Sequence, residues 1–329
     1  MILRFETYLP LRDETEEIDS IGQKLCVELS KVSEKIRLPL DDFGDISLQI
    51  KVLKEDEIEH ISKKYQKYFD KGYLDVIYFN SEIDFKEIYD FDKSNYPDYI
   101  TNEQLNESML MAIYRSRFMN FLIFTQLSVP GSLYSYKGFH LVNNEFKEDF
   151  HEMSSCLVGI GYEEKPSWPF IQTLPVDKVW NYILNKTKIL SSDSSTNIER
   201  GLNAFSYLFD NNYSSANSLF WSMTGVEALY AEGEIGIGYQ INNKAKLFLG
   251  EPKENKKVLT KLYDYRSKFL HGKKSIPLNH GWLDGEYTDN HDEEFMEKAF
   301  ISGKLLAATL QEIINRDIDV FDFEFKLIQ

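Results

Sequence analysis

The chain has 329 residues, enough for two domains of ordinary size. Hydrophobic residues make up 43% and aromatics 14%, which excludes a disordered chain, and 17 Gly and 9 Pro exclude collagenous and Pro-rich classes. Lys and Arg number 37 against 53 Asp and Glu, a net charge of −16, so any nucleic-acid site must be local.

In chain order, residues 1–9 alternate apolar and polar and open as a strand. Residues 46–53 alternate more cleanly, with Ile46, Leu48, Ile50 and Val52 on one face. Residues 74–79 and 138–142 are further strand candidates, and 55–69 and 103–118 read as helices. The first half is therefore an α+β domain, expected over residues 1–170.

Pro166, Pro169 and Pro175 exclude a continuous helix over 163–177. The domain boundary is placed inside this stretch, its trailing edge serving as a linker or docking arm. Residues 171–329 then read as all-α. Asp177 caps a helix reaching Leu190, and Thr196 and Glu199 have the spacing of a capping box. Ile198, Leu202, Phe205 and Phe209 form one apolar stripe, and Leu219, Met223, Val226 and Tyr230 form another over 214–231. After the turn glycines Gly233, Gly236 and Gly238, a helix runs to Leu249. Another spans 253–271 and stops at Gly272, the natural left-handed cap. A loop over 273–290 precedes a last helix at 291–315, and the alternation Val320 to Phe325 reads as a strand.

Cys26 and Cys156 have no metal-ligand spacing, which fits a reducing compartment. The first residues lack the pattern of a signal peptide, and the apolar run 118–129 is too short and too polar to span a bilayer. The expectation is a cytoplasmic protein without a membrane segment. His271, His280 and His291, with Asp284, Glu286 and Asp289, match no common metal-site spacing, so no metal and no cofactor are expected.

The informative segment is Leu262-Tyr263-Asp264-Tyr265-Arg266-Ser267-Lys268-Phe269-Leu270-His271-Gly272. An imidazole passes protons near neutrality, and a guanidinium grips phosphate with a permanent charge. Together they suit attack of a ribose 2′-OH on its own 3′-phosphate, with Arg266 offsetting the developing charge. On an ideal helix the two lie about 140° apart. The pair therefore requires the backbone to leave helical geometry before Gly272. The competing reading pairs Arg266 with an interior acid and sets His271 against the helix dipole. Residues 242–274 carry nine Lys and Arg266 against Glu251, Glu254 and Asp264, ten minus three or +7, in a chain of net charge −16. Such an island suits a local phosphate site, with Lys256, Lys257, Lys261, Lys268, Lys273 and Lys274 as RNA-binding candidates; it equally suits a solvated helix face.

The Tyr-x-x-Arg-Ser-x-x-x-His-Gly string resembles the signature of HEPN domains, specifically the Apea-like group. Trp221-Ser222-Met223-Thr224-Gly225-Val226-Glu227-Ala228-Leu229-Tyr230 looks like that group's second landmark, and Asn203-Ala204-Phe205 fits its preceding helix. The resemblance covers roughly 177–315. It implies an all-α HEPN-like helical bundle and a metal-independent endoribonuclease whose active cleft lies at a homodimer interface, in a prokaryotic defence or toxin setting. By position, Arg266 and His271 take the catalytic roles. Ser267 and Glu227 support them, Glu227 by holding Arg266. Tyr263 and Tyr265 are candidates to stack on a base. The alternative is a non-catalytic dimerisation or RNA-binding scaffold, or a sensor, and the N-terminal half would regulate through a protein or ligand. Tyr114-Arg115-Ser116-Arg117-Phe118 echoes the motif but has Leu122 seven residues after Arg115 and no nearby histidine.

Overall fold

The computed structural model describes the chain apart from residues 1, 12–15, 33–35, 66–74, 98, 133–137, 150–154, 192–193, 210–214, 234, 255, 275–289 and 324–329. The chain divides into two compact units. One comprises 1–125 and 134–152, the other 126–133 and 153–329, so the expected boundary at 170/171 falls inside the second unit.

The first unit is built on an antiparallel sheet: β1 (Ile2–Leu11), β2 (Ile36–Pro39), β3 (Asp45–Val52), β4 (Asp75–Asp84), β5 (Phe139–Val142) and β6 (Glu145–Asp149). The spatial order is β2-β3-β4-β1-β5-β6. The helices are α1 (Glu16–Ser30), α2 (Glu55–Lys64) and α3 (Asn102–Thr125). Alternation assigns the faces. Leu3, Phe5, Thr7 and Leu9 point one way, where Phe5 stacks on Tyr114 of α3 at 4.1 Å and Phe79 meets Phe118 edge-on at 5.0 Å. On the other face Tyr8, Val76, Phe139 and Leu141 pack with Ile58 of α2. The Tyr114–Phe118 echo of the motif is thus core of α3, and its Arg117 pairs with Asp41 at 2.6 Å.

The second unit contains α4 (Val176–Lys186), α5 (Asn197–Ser206), α6 (Ser215–Tyr230), α7 (Ile237–Leu249), α8 (Val258–Leu270) and α9 (Asn290–Asn315). Helix α9 is the axis of this unit: residues 302–310 are buried all round, and its strongest packing is against α6. The small residue Gly225 lets α6 and α9 approach, since a Cβ there would lie 2.8 Å from Leu306. Buried polar groups are matched across this contact, Tyr230 to Thr309 at 2.9 Å and Ser222 to Ser302 at 2.6 Å.

The Pro-bearing stretch is no free arm. Lys304 of α9 donates to both carboxylate oxygens of Glu163 at 2.6 Å, and Gln311 bonds the backbone of Gln172 in both directions. Three other expectations change. Helix α4 starts at Val176 after Pro175, with Asp177 in its first turn and no side-chain cap. Helix α8 starts at Val258 rather than 253, because the polar run ending at Lys257 offers no capping side chain. Val320 to Phe323 form no strand. Phe321 instead buries its ring against Tyr230 and Phe248, so the alternation reflects docking on helices. Residues 324–325 lie outside the described part, as does most of the 273–290 loop.

Candidate active site

Helix α8 carries the Arg-His motif, and its sequence sets three faces. Val258, Leu259, Leu262 and Tyr265 are buried. Tyr265 meets Phe295 of α9 edge-on at 5.3 Å, and Phe269 does so at 5.4 Å. Tyr265 is therefore a core residue and is not placed to stack on a base. Burial raises its phenol above the ordinary range. Thr260, Asp264 and His271 are exposed, with Ser267 half-buried beside them. They recur at spacings of four, three and four, one stripe along the outer face.

Arg266 sits at the edge between core and solvent. Its Nη2 donates to Glu227 Oε2 of α6 at 2.7 Å, both side chains being about one-fifth exposed at 20% and 19%. The remaining N–H groups of Arg266 bond to no described residue. The guanidinium carbon also lies 6.0 Å from the Tyr263 ring centre. Glu227 Oε1 is buried without a hydrogen-bond partner. Burial pushes the Glu227 carboxyl up from its usual range, and the Arg266 charge only partly offsets this.

The end of α8 is closed by a glycine cap. Gly272 takes φ +65°, the left-handed cap anticipated for it. Its N–H bonds Phe269 O at 3.1 Å, while Lys273 N–H bonds Lys268 O at 2.8 Å, the paired closure of a Schellman motif. His271 N–H still bonds Ser267 O at 3.1 Å. His271 is nonetheless the C-cap: α8 ends at Leu270, and at His271 the backbone, with φ −88° and ψ +12°, leaves helical geometry before Gly272. No hydrogen bond joins the imidazole to Arg266 within one chain; ideal helical spacing would set the two about 140° apart. The His271 side chain bonds to no described residue, and the residue is exposed. Ser267 lies between the two around the helix.

The basic island divides in the same way. Lys256, Lys257, Lys261, Lys268 and Lys273 are exposed and make no ion pair with described residues. Lys274 is engaged: it pairs with Glu294 at 2.6 Å and lies 4.6 Å over the Tyr265 ring. Lys244 is buried on Glu232, and Lys246 reaches Glu251 at 3.6 Å. On the helical wheel Lys257, Lys261 and Lys268 form a band about 60° from His271, on the side away from Arg266.

No group of three or more His, Cys, Asp or Glu among the described residues could hold a metal ion. His280, Asp284, Glu286 and Asp289 lie outside the described residues, as does the side chain of His291. Cys26 and Cys156 are buried and form no disulfide, and burial pushes the Cys156 thiol up to about 12. Among the described residues no helix is long and apolar enough to cross a membrane.

Comparison with protein-family models, with curated proteins and with solved structures finds no match to this chain.

Proposed function

We propose that the protein is a metal-independent endoribonuclease of the HEPN type, acting as a homodimer, with Arg266 and His271 as its catalytic residues. One observation carries the reading. Glu227 anchors the guanidinium through a single nitrogen, leaving its other donors open, while His271 is solvent-exposed at the glycine-capped end of the same helix. Such an arrangement positions a phosphate grip without neutralising its whole hydrogen-bonding fork.

In the proposed reaction an imidazole takes the proton of the ribose 2′-OH. The 2′-oxygen attacks phosphorus, the P–O5′ bond breaks, and an imidazolium protonates the departing 5′-oxygen. The products are a 2′,3′-cyclic phosphate and a 5′-OH. Arg266 offsets the charge on the non-bridging oxygens. Helical spacing sets the two residues about 140° apart and no hydrogen bond joins them in one chain, which is why a second copy matters: a two-fold mate brings its histidine to the first chain's arginine and the reverse. The Lys257, Lys261 and Lys268 band guides the RNA backbone toward His271. The first unit takes a regulatory role.

A second reading has its own supporting observation. The Arg266–Glu227 pair explains Arg266 as a structural ion pair, which suits a non-catalytic dimerisation or RNA-binding scaffold. Labelled RNA incubated in EDTA decides between them. The nuclease reading expects cleavage by the wild type and a loss of about 10²–10⁴-fold in His271→Ala. RNA binding with no cleavage by either protein supports the scaffold.

A further inference from the structure

Beside the Arg-His motif lies a cleft that neither catalytic residue lines. It has a volume of about 490 Å³ and is formed by the first turns of α7 and the outer face of α8, with Gly238, Tyr239, Asn242, Thr260, Tyr263 and Asp264 in its walls. We propose that this cleft is a nucleobase subsite with guanine as its preferred occupant. The inference rests on the ribonuclease reading for its biological substrate and on the cleft alone for its chemistry.

The walls are aromatic where stacking is needed. Tyr239 is 76% exposed on α7, so its ring contributes little to the core. Tyr263 is half-buried and pressed flat on α7, because Gly238 has no Cβ; one there would stand 2.5 Å from the Tyr263 Cδ1. A base stacks on such rings whatever its sequence context.

The polar groups of the cleft are acceptors without donors. Asn242 Oδ1 is buried and has no hydrogen-bond partner, while its amide nitrogen points to Asn243 at 3.4 Å. The Asp264 carboxylate is exposed and pairs with no described residue, although Lys261 and Lys268 flank it in sequence. A carboxylate best receives two parallel N–H groups. Guanine offers N1–H and the 2-amino group side by side. Adenine and cytosine offer a single amino group on that edge, and uracil a single imino N–H.

Position completes the argument. Thr260, Asp264, Ser267 and His271 lie on one stripe, so the cleft opens on the helical face that ends at the proposed general base. The Arg266 guanidinium carbon lies 6.0 Å from the Tyr263 ring centre. A base held in the cleft would place its neighbouring ribose–phosphate along α8 toward His271.

The test measures binding of GMP, AMP, CMP and UMP to the full chain by titration calorimetry, separately from any cleavage. GMP should bind tightest, and Asp264→Asn and Tyr239→Ala should each weaken it at least tenfold. Both substituted residues are exposed, and far-UV circular dichroism confirms that each variant is folded. GMP binding no tighter than UMP, or unchanged in Asp264→Asn, overturns the subsite. Cleavage in EDTA of guanine-containing and guanine-free oligoribonucleotides by the same preparations reads the other claim. GMP binding without cleavage keeps the subsite and removes the nuclease, whereas base-indifferent cleavage without GMP binding does the reverse.

Discussion

Glu199 on α5 and Glu227 on α6 occupy neighbouring helices of one unit, yet their surroundings drive them in opposite directions. Glu199 is 3% exposed, and burial alone would raise its carboxyl. Its oxygens instead accept from the N–H of Lys188 at 2.7 Å, from the N–H of Ser195 and Thr196 at 2.9 Å, and from the Ser195 hydroxyl at 2.9 Å. Those donors pull it down to about 2. Glu227 has one oxygen on Arg266 and the other on nothing, and burial wins. The first is a fully satisfied capping box, built for stability. The second is a half-satisfied centre, and incompletely satisfied buried polar groups are where function tends to sit.

Substitution separates the two. Glu199→Ala strands several donors at once and should cost about 3 kcal/mol in urea unfolding. A loss under about 1 kcal/mol would dissolve the distinction. Glu227→Gln keeps an acceptor for Arg266 and should change stability by about 1 kcal/mol or less. Its effect should fall on function, lowering cleavage about ten- to a hundredfold through a misplaced guanidinium. Because Glu227 is a positioning residue, kcat should fall more than KM rises, and Glu227→Asp should recover part of the rate.

Acid titration sharpens the contrast. Glu199 has a folded value below its unfolded one, so its contribution is complete above about pH 4.5 and drains as pH falls toward 2. The raised Glu227 has the opposite sign there. The first unit adds a third buried centre, His140, hydrogen-bonded to Thr7 at 2.6 Å. Burial, with the Arg115 charge, lowers His140 from 6.5 to about 3. The unfolded chain then binds a proton that the folded one refuses, so stability should fall by about 1.4 kcal/mol per pH unit from about pH 6.5 downward. Unfolding midpoints from pH 7 to 5 check this, and a flat profile would contradict a neutral His140. The smallest effect belongs to the lysines. Reversing Lys256 and Lys257 to Glu should reduce the slope of log Kd against log salt by about two for RNA, with no change in fold.

The residues that announced themselves in the sequence are those governed by local rules. The Thr196–Glu199 box and the Gly272 cap are written in short strings, and both appear as read. Helix α1 is legible too, since Ile18, Ile21, Leu25 and Leu29 recur at helical spacing. Strands β2 and β6 were not. Ile36–Pro39 is four residues long, and Glu145–Asp149 holds three acids and one lysine, so only pairing with β3 and β5 makes them strands. At the site, Glu227 was found from the motif order. The unpartnered Asn242 and the Gly238–Tyr263 contact were not, because both depend on how α7 docks on α8. The conformation of His271 was likewise hidden, since a glycine after histidine predicts a cap but does not set the dihedrals of the histidine before it.

The central claim is testable in one step. If Arg266 and His271 act across two chains, equal amounts of Arg266→Ala and His271→Ala, each inactive alone, should regain RNA cleavage in EDTA when mixed. Free exchange makes half the dimers mixed, each with one intact site, so about a quarter of the wild-type rate is predicted. A wild type that cleaves while the mixture stays inactive, with exchange verified by tagged chains, would contradict the shared site.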